Sequence, residues 1–134
     1  MIAHLFVYGT LRSDVQHPAH ELLNRYFTLL GKATVQGKLY DCGEYPGAVP
    51  TTAHHVITGE LYALRNTAHV EEAINALDEY EGCLPAAPHQ SLFRREPAAV
   101  QYNNQVIQAW VYWYNRDTTG MTWIRSGDYK DRKQ

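Results

Sequence analysis

The chain has 134 residues, 45% of them hydrophobic, which suits one domain (1–134) with a sizeable core better than two domains or a disordered chain. Twelve Lys and Arg against fourteen Asp and Glu leave a formal charge of -2. There is no basic field of the kind nucleic-acid binding requires, and a small-molecule partner is the default expectation. The start, Met1-Ile2-Ala3-His4, has no charged n-region followed by an apolar h-region, and no apolar run approaches membrane-spanning length, so a cytoplasmic protein without a membrane partner is expected.

The first element is the run Leu5-Phe6-Val7, which stops at Tyr8-Gly9-Thr10-Leu11. Apolar residues at consecutive positions read as a strand covered on both faces, and the glycine directly after it allows a tight turn or close approach of backbone to a ligand. A plain βα turn and a ligand-binding loop both fit. Pro18 to Leu30 carries Leu22, Leu23, Tyr26 and Leu29 or Leu30 at helical spacing with Gly31 as a stop, which predicts a helix of about three turns. Val35 to Tyr40 and Val56 to Leu64 share a Gly-x-Leu-Tyr pattern and read as neighbouring strands of one sheet, with Gly37 and Gly59 at bulges or close approaches. Asp41 to Pro50, holding Tyr45-Pro46-Gly47, reads as the loop between them. Phe93 to Tyr102 and Gln105 to Tyr114 flank Asn103-Asn104 and predict a hairpin, because Asn tolerates positive φ. In its second strand Ile107, Ala109, Val111 and Trp113 alternate with Trp110, Tyr112 and Tyr114, so both faces should be covered. The polar end, Arg125 to Gln134, reads as a mobile tail. Cys42 and Cys83 lack a CxxC partner and read as small buried hydrophobes.

The helix from about Asn66 to Glu81 carries the residue of greatest chemical interest. Val70, Ala73, Ile74 and Leu77 form an apolar stripe, and at about 100° per residue Glu81 continues its centre. Glu71, Glu72, Asp78 and Glu79 fall on the flanks or the far side and read as solvated surface charge. Glu81 stands before Gly82, a candidate C-cap, where the negative end of the helix dipole and partial desolvation both favour the neutral acid. A carboxyl group tuned upward is what a general base requires. Helix geometry alone leaves open a frayed last turn with Glu81 in water.

Phe6-Val7-Tyr8-Gly9-Thr10-Leu11, Tyr45-Pro46-Gly47 and Leu77-Asp78-Glu79-Tyr80-Glu81-Gly82, followed by Phe93-Arg94-Arg95 and Ala109-Trp110-Val111-Tyr112, together resemble the gamma-glutamylcyclotransferase-like superfamily in order and spacing over nearly the whole chain. The resemblance implies a mixed α/β (α+β) fold with a small curled, barrel-like sheet flanked by helices. It also implies a substrate-binding loop at Tyr8, Gly9, Thr10 and Leu11, and Glu81 as general acid/base. The implied reaction closes 5-oxoproline from a γ-glutamyl compound by attack of its α-amine on its own γ-carbonyl, releasing an amine, with no cofactor, metal or external nucleophile. Tyr45 and Tyr114 are plausible pocket walls, with core packing the alternative for each in a chain of ten tyrosines.

Where relatives often place a Gly and then an Asn after the loop, this chain has Arg12-Ser13-Asp14 and His17-Pro18-Ala19-His20, so the pocket mouth and the leaving group it accepts should differ. His17 and His20, and likewise His54 and His55, lack a completing carboxylate or cysteine at metal-ligand spacing and read as surface histidines. The rival readings are a binding module that retains the pocket for a carboxylate-bearing metabolite without turnover, and an interaction protein using aromatic surface. A buried carboxylate would repel an acidic ligand, which favours the enzyme.

Overall fold

The computed structural model describes residues 1–13 and 17–132. In chain order the elements are β1 (His4–Val7), α1 (Ala19–Tyr26), β2 (Phe27–Gln36), β3 (Lys38–Asp41), β4 (Pro46–Val49), β5 (Val56–Leu64), α2 (Val70–Glu81), β6 (Phe93–Tyr102), β7 (Gln105–Tyr114) and β8 (Thr122–Ile124). Five strands close into a barrel in the order β1-β5-β2-β6-β7, sealed where Leu5 of β1 lies parallel to Trp110 of β7. A second sheet, in the order β4-β3-β8, packs beside it. The mixed α/β class with a barrel-like sheet and flanking helices is the architecture expected.

Strand β1 explains its own lack of alternation. Phe6, with Tyr8 just beyond the strand, joins Val35, Ile57, Leu61, Val100 and Val111 in one core. Leu5 and Val7 join Leu23, Leu77 and Tyr112 in a second core that involves the helices. With both faces buried, a continuous apolar run is the stable solution. The hairpin of β6 and β7 is as expected: Asn103 and Asn104 take φ of 50° and 63°, and Tyr102 pairs with Gln105. The split of β7 side chains also holds, Ala109, Val111 and Trp113 falling in one core and Tyr112 and Tyr114 in the other.

Four local expectations are corrected. The first helix ends at Tyr26, and Phe27 begins a strand without a connecting loop. Leu29 and Leu30 are exposed, so their helical spacing does not report a buried face. Leu29 pairs with Tyr62 of β5, Leu30 is the extra residue of a bulge, and Gly31 resumes the pairing opposite Leu61 instead of stopping a helix. Second, Val35 to Tyr40 is two strands: the chain leaves the barrel at Gly37, and Leu39 and Tyr40 pair with β4 and β8. Third, the expected loop from Asp41 to Pro50 contains β4, with Pro46 at its first position, where a missing N–H costs least. Fourth, the expected tail is docked over its described residues, 125–132. Tyr129 is buried in the barrel-side core, the Gly127 carbonyl accepts from Thr58 N, and Asp128 receives Arg12 at 2.6 Å.

Candidate active site

The loop after β1 is fixed from several directions. Tyr8 is buried, its hydroxyl donating to the Tyr112 carbonyl at 2.5 Å and accepting from Ala48 N at 3.3 Å. Burial, with the nearby Glu81 carboxylate second, raises its pKa well above the usual phenol value and keeps it a neutral donor. The Gly9 carbonyl accepts from Arg12 N at 3.0 Å and closes a tight turn. A Cβ on Gly9 would stand 2.6 Å from Pro46 Cγ. Only glycine lets Tyr45-Pro46 close over the loop. The Thr10 carbonyl accepts from His20 Nε2 at 3.2 Å, Thr10 Oγ1 shares a 3.0 Å hydrogen bond with the Tyr80 hydroxyl, and Ser13 binds Glu60. Among the described residues no acceptor takes the N–H groups of Gly9, Thr10 or Leu11. The loop is held by its carbonyls and side chains, and three of its backbone N–H groups are left without a partner among the described residues.

Glu81 ends α2. Gly82 follows in the left-handed conformation, φ 67°, its N–H bonding to the carbonyls of Asp78 and Glu79, while Cys83 N donates to Asp78 O at 2.8 Å. This double closure is a Schellman cap, so the last turn is not frayed and Glu81 is not released to bulk water. Desolvation by burial, and then the negative charge of Asp78, push its pKa up to about 8. Among the described residues no donor or cation engages its carboxylate, in contrast to Asp78.

A cavity of about 310 Å³ brings Tyr8, Gly9, Thr10, Leu11 and Tyr45 together with Glu81. Of the site residues read from sequence, Tyr114 alone does not border it. Tyr114 packs edge-on against Phe93 at 5.6 Å, and Phe93 packs edge-on against Tyr45 at 5.8 Å, so Tyr114 supports the wall from behind. Nine further residues complete the described lining: Phe6 and Val7 of β1, Pro46 of β4, and His17, Glu44, Tyr80, Leu92, Phe93 and Tyr112. Tyr80 neighbours Glu81 in sequence, but its role depends on Thr10, seventy positions away. His17 is no free surface histidine: Nδ1 accepts from Ala19 N at 3.1 Å and the ring sits edge-on to Tyr80 at 6.0 Å. Asp14, the departure noted at the mouth, lies outside the described residues.

Asp78 is the clearest correction. It is 6% exposed rather than solvated; Oδ1 accepts from Arg95 Nε at 2.8 Å and from the Tyr112 hydroxyl at 2.7 Å, and Oδ2 accepts from Arg95 Nη2 at 3.1 Å. Glu71, Glu72 and Glu79 are exposed, as their positions on the helix predict.

The sequence profile of the family described as "Gamma-glutamyl cyclotransferase, AIG2-like" matches residues 5–131. A gamma-glutamylcyclotransferase family protein of Citrobacter rodentium is 34% identical over 136 residues, covering 97% of each chain. Two solved structures share the fold. YkqA from Bacillus subtilis has a TM-score of 0.72 and 26% identity, and is longer: 99% of this chain corresponds to 41% of that one. An AIG2-like protein from mouse has a TM-score of 0.71 and 23% identity, over 96% of this chain and 88% of that one. No helix among the described residues is long and apolar enough to cross a membrane. With the profile spanning nearly all of the chain and a relative matched from end to end, this protein belongs to the gamma-glutamyl cyclotransferase, AIG2-like family.

Proposed function

We propose that the protein is a γ-glutamyl cyclotransferase that releases 5-oxoproline and an amine, with Glu81 as the general acid/base. The observation that carries this reading is a carboxyl group with no partner among the described residues, its pKa pushed up to about 8, in one cavity with a loop that has three backbone N–H groups likewise without a described partner. The substrate's α-ammonium sits at Glu81, which takes one of its protons. The amine nitrogen then attacks the γ-carbonyl carbon, forming the C–N bond of the five-membered ring. Negative charge that collects on the carbonyl oxygen is met by N–H groups of Gly9 to Leu11, which pre-aligned donors stabilise without reorganisation. Protonated Glu81 returns its proton to the leaving nitrogen and the original C–N bond breaks; the second proton still on the attacking nitrogen then passes through the Glu81 carboxylate to the released amine, so a neutral lactam and an ammonium depart. No bond to the protein is needed, since the nucleophile and electrophile belong to one molecule and the cavity's task is to hold them folded together.

The lining supports a leaving amine that carries no carboxylate of its own. Glu44, Glu81 and His17 are the described lining residues outside the tyrosines that titrate, and neither Lys nor Arg is among them. A γ-glutamyl amino acid would bring a second carboxylate with no cation to meet it. The test is incubation with γ-glutamyl alkylamines and γ-glutamyl amino acids while 5-oxoproline is assayed, wild type beside Glu81→Gln. Product from the amines, lost in the variant, is expected. Binding without product at any pH would replace the enzyme with a non-catalytic binder of a γ-glutamyl metabolite.

A further inference from the structure

Asp78 and Glu81 are three residues apart on the last turn of α2, and Asp78 is tied to everything around that turn. Its side chain reaches the barrel, taking both Arg95 of β6 and the hydroxyl of Tyr112 of β7. Its backbone carbonyl accepts both N–H groups of the cap that follows Glu81. Arg95 is held in turn, its guanidinium lying 4.2 Å from the centroid of Trp110. Tyr112 does double duty: its hydroxyl binds Asp78, its carbonyl accepts from Tyr8, and its side borders the cavity. The base-bearing turn and the start of the donor loop are therefore both referenced to one residue of β7.

We propose that Asp78 is a positioning residue for Glu81: docked on Arg95 and Tyr112, it sets where the last turn of α2 presents the Glu81 carboxylate and what charge stands beside it. The inference rests on Glu81 being the base. An ion pair that only fastened the helix to the barrel could be exchanged for apolar packing with little loss. This one also sets the field at the neighbouring acid. On α2 itself Glu81 is faced by Asp78 and Tyr80, with Cys83 just beyond the cap. Tyr8 faces it from the β1 loop, Tyr112 from β7 and, behind Asp78, Arg95 from β6. His17 and Glu44 stand on the same cavity wall. The tyrosines and Cys83 are all raised in pKa, burial being the first cause, and stay neutral near pH 7. Asp78 is thus the charge that acts directly on Glu81, and Arg95, paired with Asp78 at 2.8 Å, is the charge that offsets it.

The experiment is a pH titration of the Glu81 carboxyl carbon by NMR in glutamate-labelled protein, assigned through Glu81→Gln, in wild type, Asp78→Asn, Arg95→Met, Arg95→Lys and Tyr112→Phe. Removing the negative charge while Arg95 stays should lower the Glu81 midpoint by about one to two pH units, and removing the positive charge should raise it by a similar amount. Arg95→Lys keeps the charge and should return the midpoint to near the wild-type value. Tyr112→Phe, nearly isosteric, strips one donor from Asp78 and should raise it by a few tenths. Loosening of the helix alone would solvate Glu81 in every variant and lower all midpoints together; that pattern, or no movement, overturns the proposal. If Asp78→Asn does not fold, the Arg95→Met and Arg95→Lys pair decides, and if Arg95→Met does not fold either, the sign of the Tyr112→Phe shift decides. These readings need no turnover, so a chain that titrates as described yet forms no 5-oxoproline would defeat the functional reading and spare this one. In active enzyme, the acid limb of kcat/KM should follow the NMR midpoint variant by variant, with kcat reduced more than KM is raised.

Discussion

The two sides of one helical turn hold two carboxylates in opposite conditions. On the side of α2 that meets β6 and β7, Asp78 has both oxygens occupied by a guanidinium and a phenol, and the ion pair is nearly closed to water. On the side that meets the cavity, Glu81 is desolvated with no donor from the described chain, and its pKa is pushed up to about 8. Asp78 is buried and Glu81 half-buried at the cavity wall, and what separates them most is partners. A buried carboxylate with partners stays ionised and fastens structure, whereas one without partners holds its proton until a ligand supplies a cation. The fold gives the first to the scaffold and leaves the second without a partner among the described residues at the cavity, which is where the proposed mechanism seats a substrate ammonium.

The comparison is broken most severely at Glu81. Glu81→Gln preserves volume and removes the proton acceptor, so 5-oxoproline formation should fall about 10²- to 10⁴-fold with the melting temperature at neutral pH unchanged or raised. Next comes the other side: Asp78→Ala leaves Arg95 buried without its counter-ion and should destabilise the fold by about 3–5 kcal/mol, seen as a lower denaturant midpoint. Smaller and opposite in sign is the pH dependence of stability. Glu81 ionises in the unfolded chain near the ordinary glutamate value of 4.5 but in the folded protein is pushed up to about 8. Between those values the native state holds a proton the unfolded state has lost, so this group lowers stability as pH rises through the window. Wild type should lose on the order of 3 kcal/mol relative to Glu81→Gln between pH 5 and 8, read as diverging denaturation curves. The acid limb of kcat/KM should rise through the same upper value, while the limb of kcat should lie lower, because a bound ammonium favours the carboxylate. Smallest is Glu79→Gln. Glu79 is exposed and about 160° around the helix from Glu81, and neither rate nor stability should move beyond experimental error.

What was legible in the sequence had local causes. The Leu5 to Val7 run reads as a strand covered on both faces because consecutive apolar residues leave little else, and Asn103-Asn104 specifies its hairpin through the positive φ that two asparagines tolerate. Glu81 is legible because it continues the centre of an apolar stripe and Gly82 caps it. What was not legible depends on distant partners. Asp78 lies beside that stripe, and with Arg95 and Tyr112 seventeen and thirty-four positions away it looks like any solvated acid. The α1–β2 junction misleads for the same reason: Leu29 and Leu30 keep helical spacing, and only pairing with β5 makes their backbone extended. Tyr114 shares a strand face with Tyr112, but two residues along a strand are about 7 Å, enough to put it behind Phe93 instead of in the cavity.

The Arg12–Asp128 pair, spanning 116 positions, has a consequence for how the protein comes into being. The loop after β1 is made well before its partners: β1 is completed by β7, and Arg12 waits for a segment made more than a hundred residues later. Contacts of such sequence separation form late, since loop closure has to precede their reward. A nascent or truncated chain ending before Asp128 therefore carries the loop with its contacts to Tyr112, Tyr80 and Glu60 but without the Arg12 anchor, so the last fastening of the loop should arrive with docking of the Asp128–Tyr129 turn.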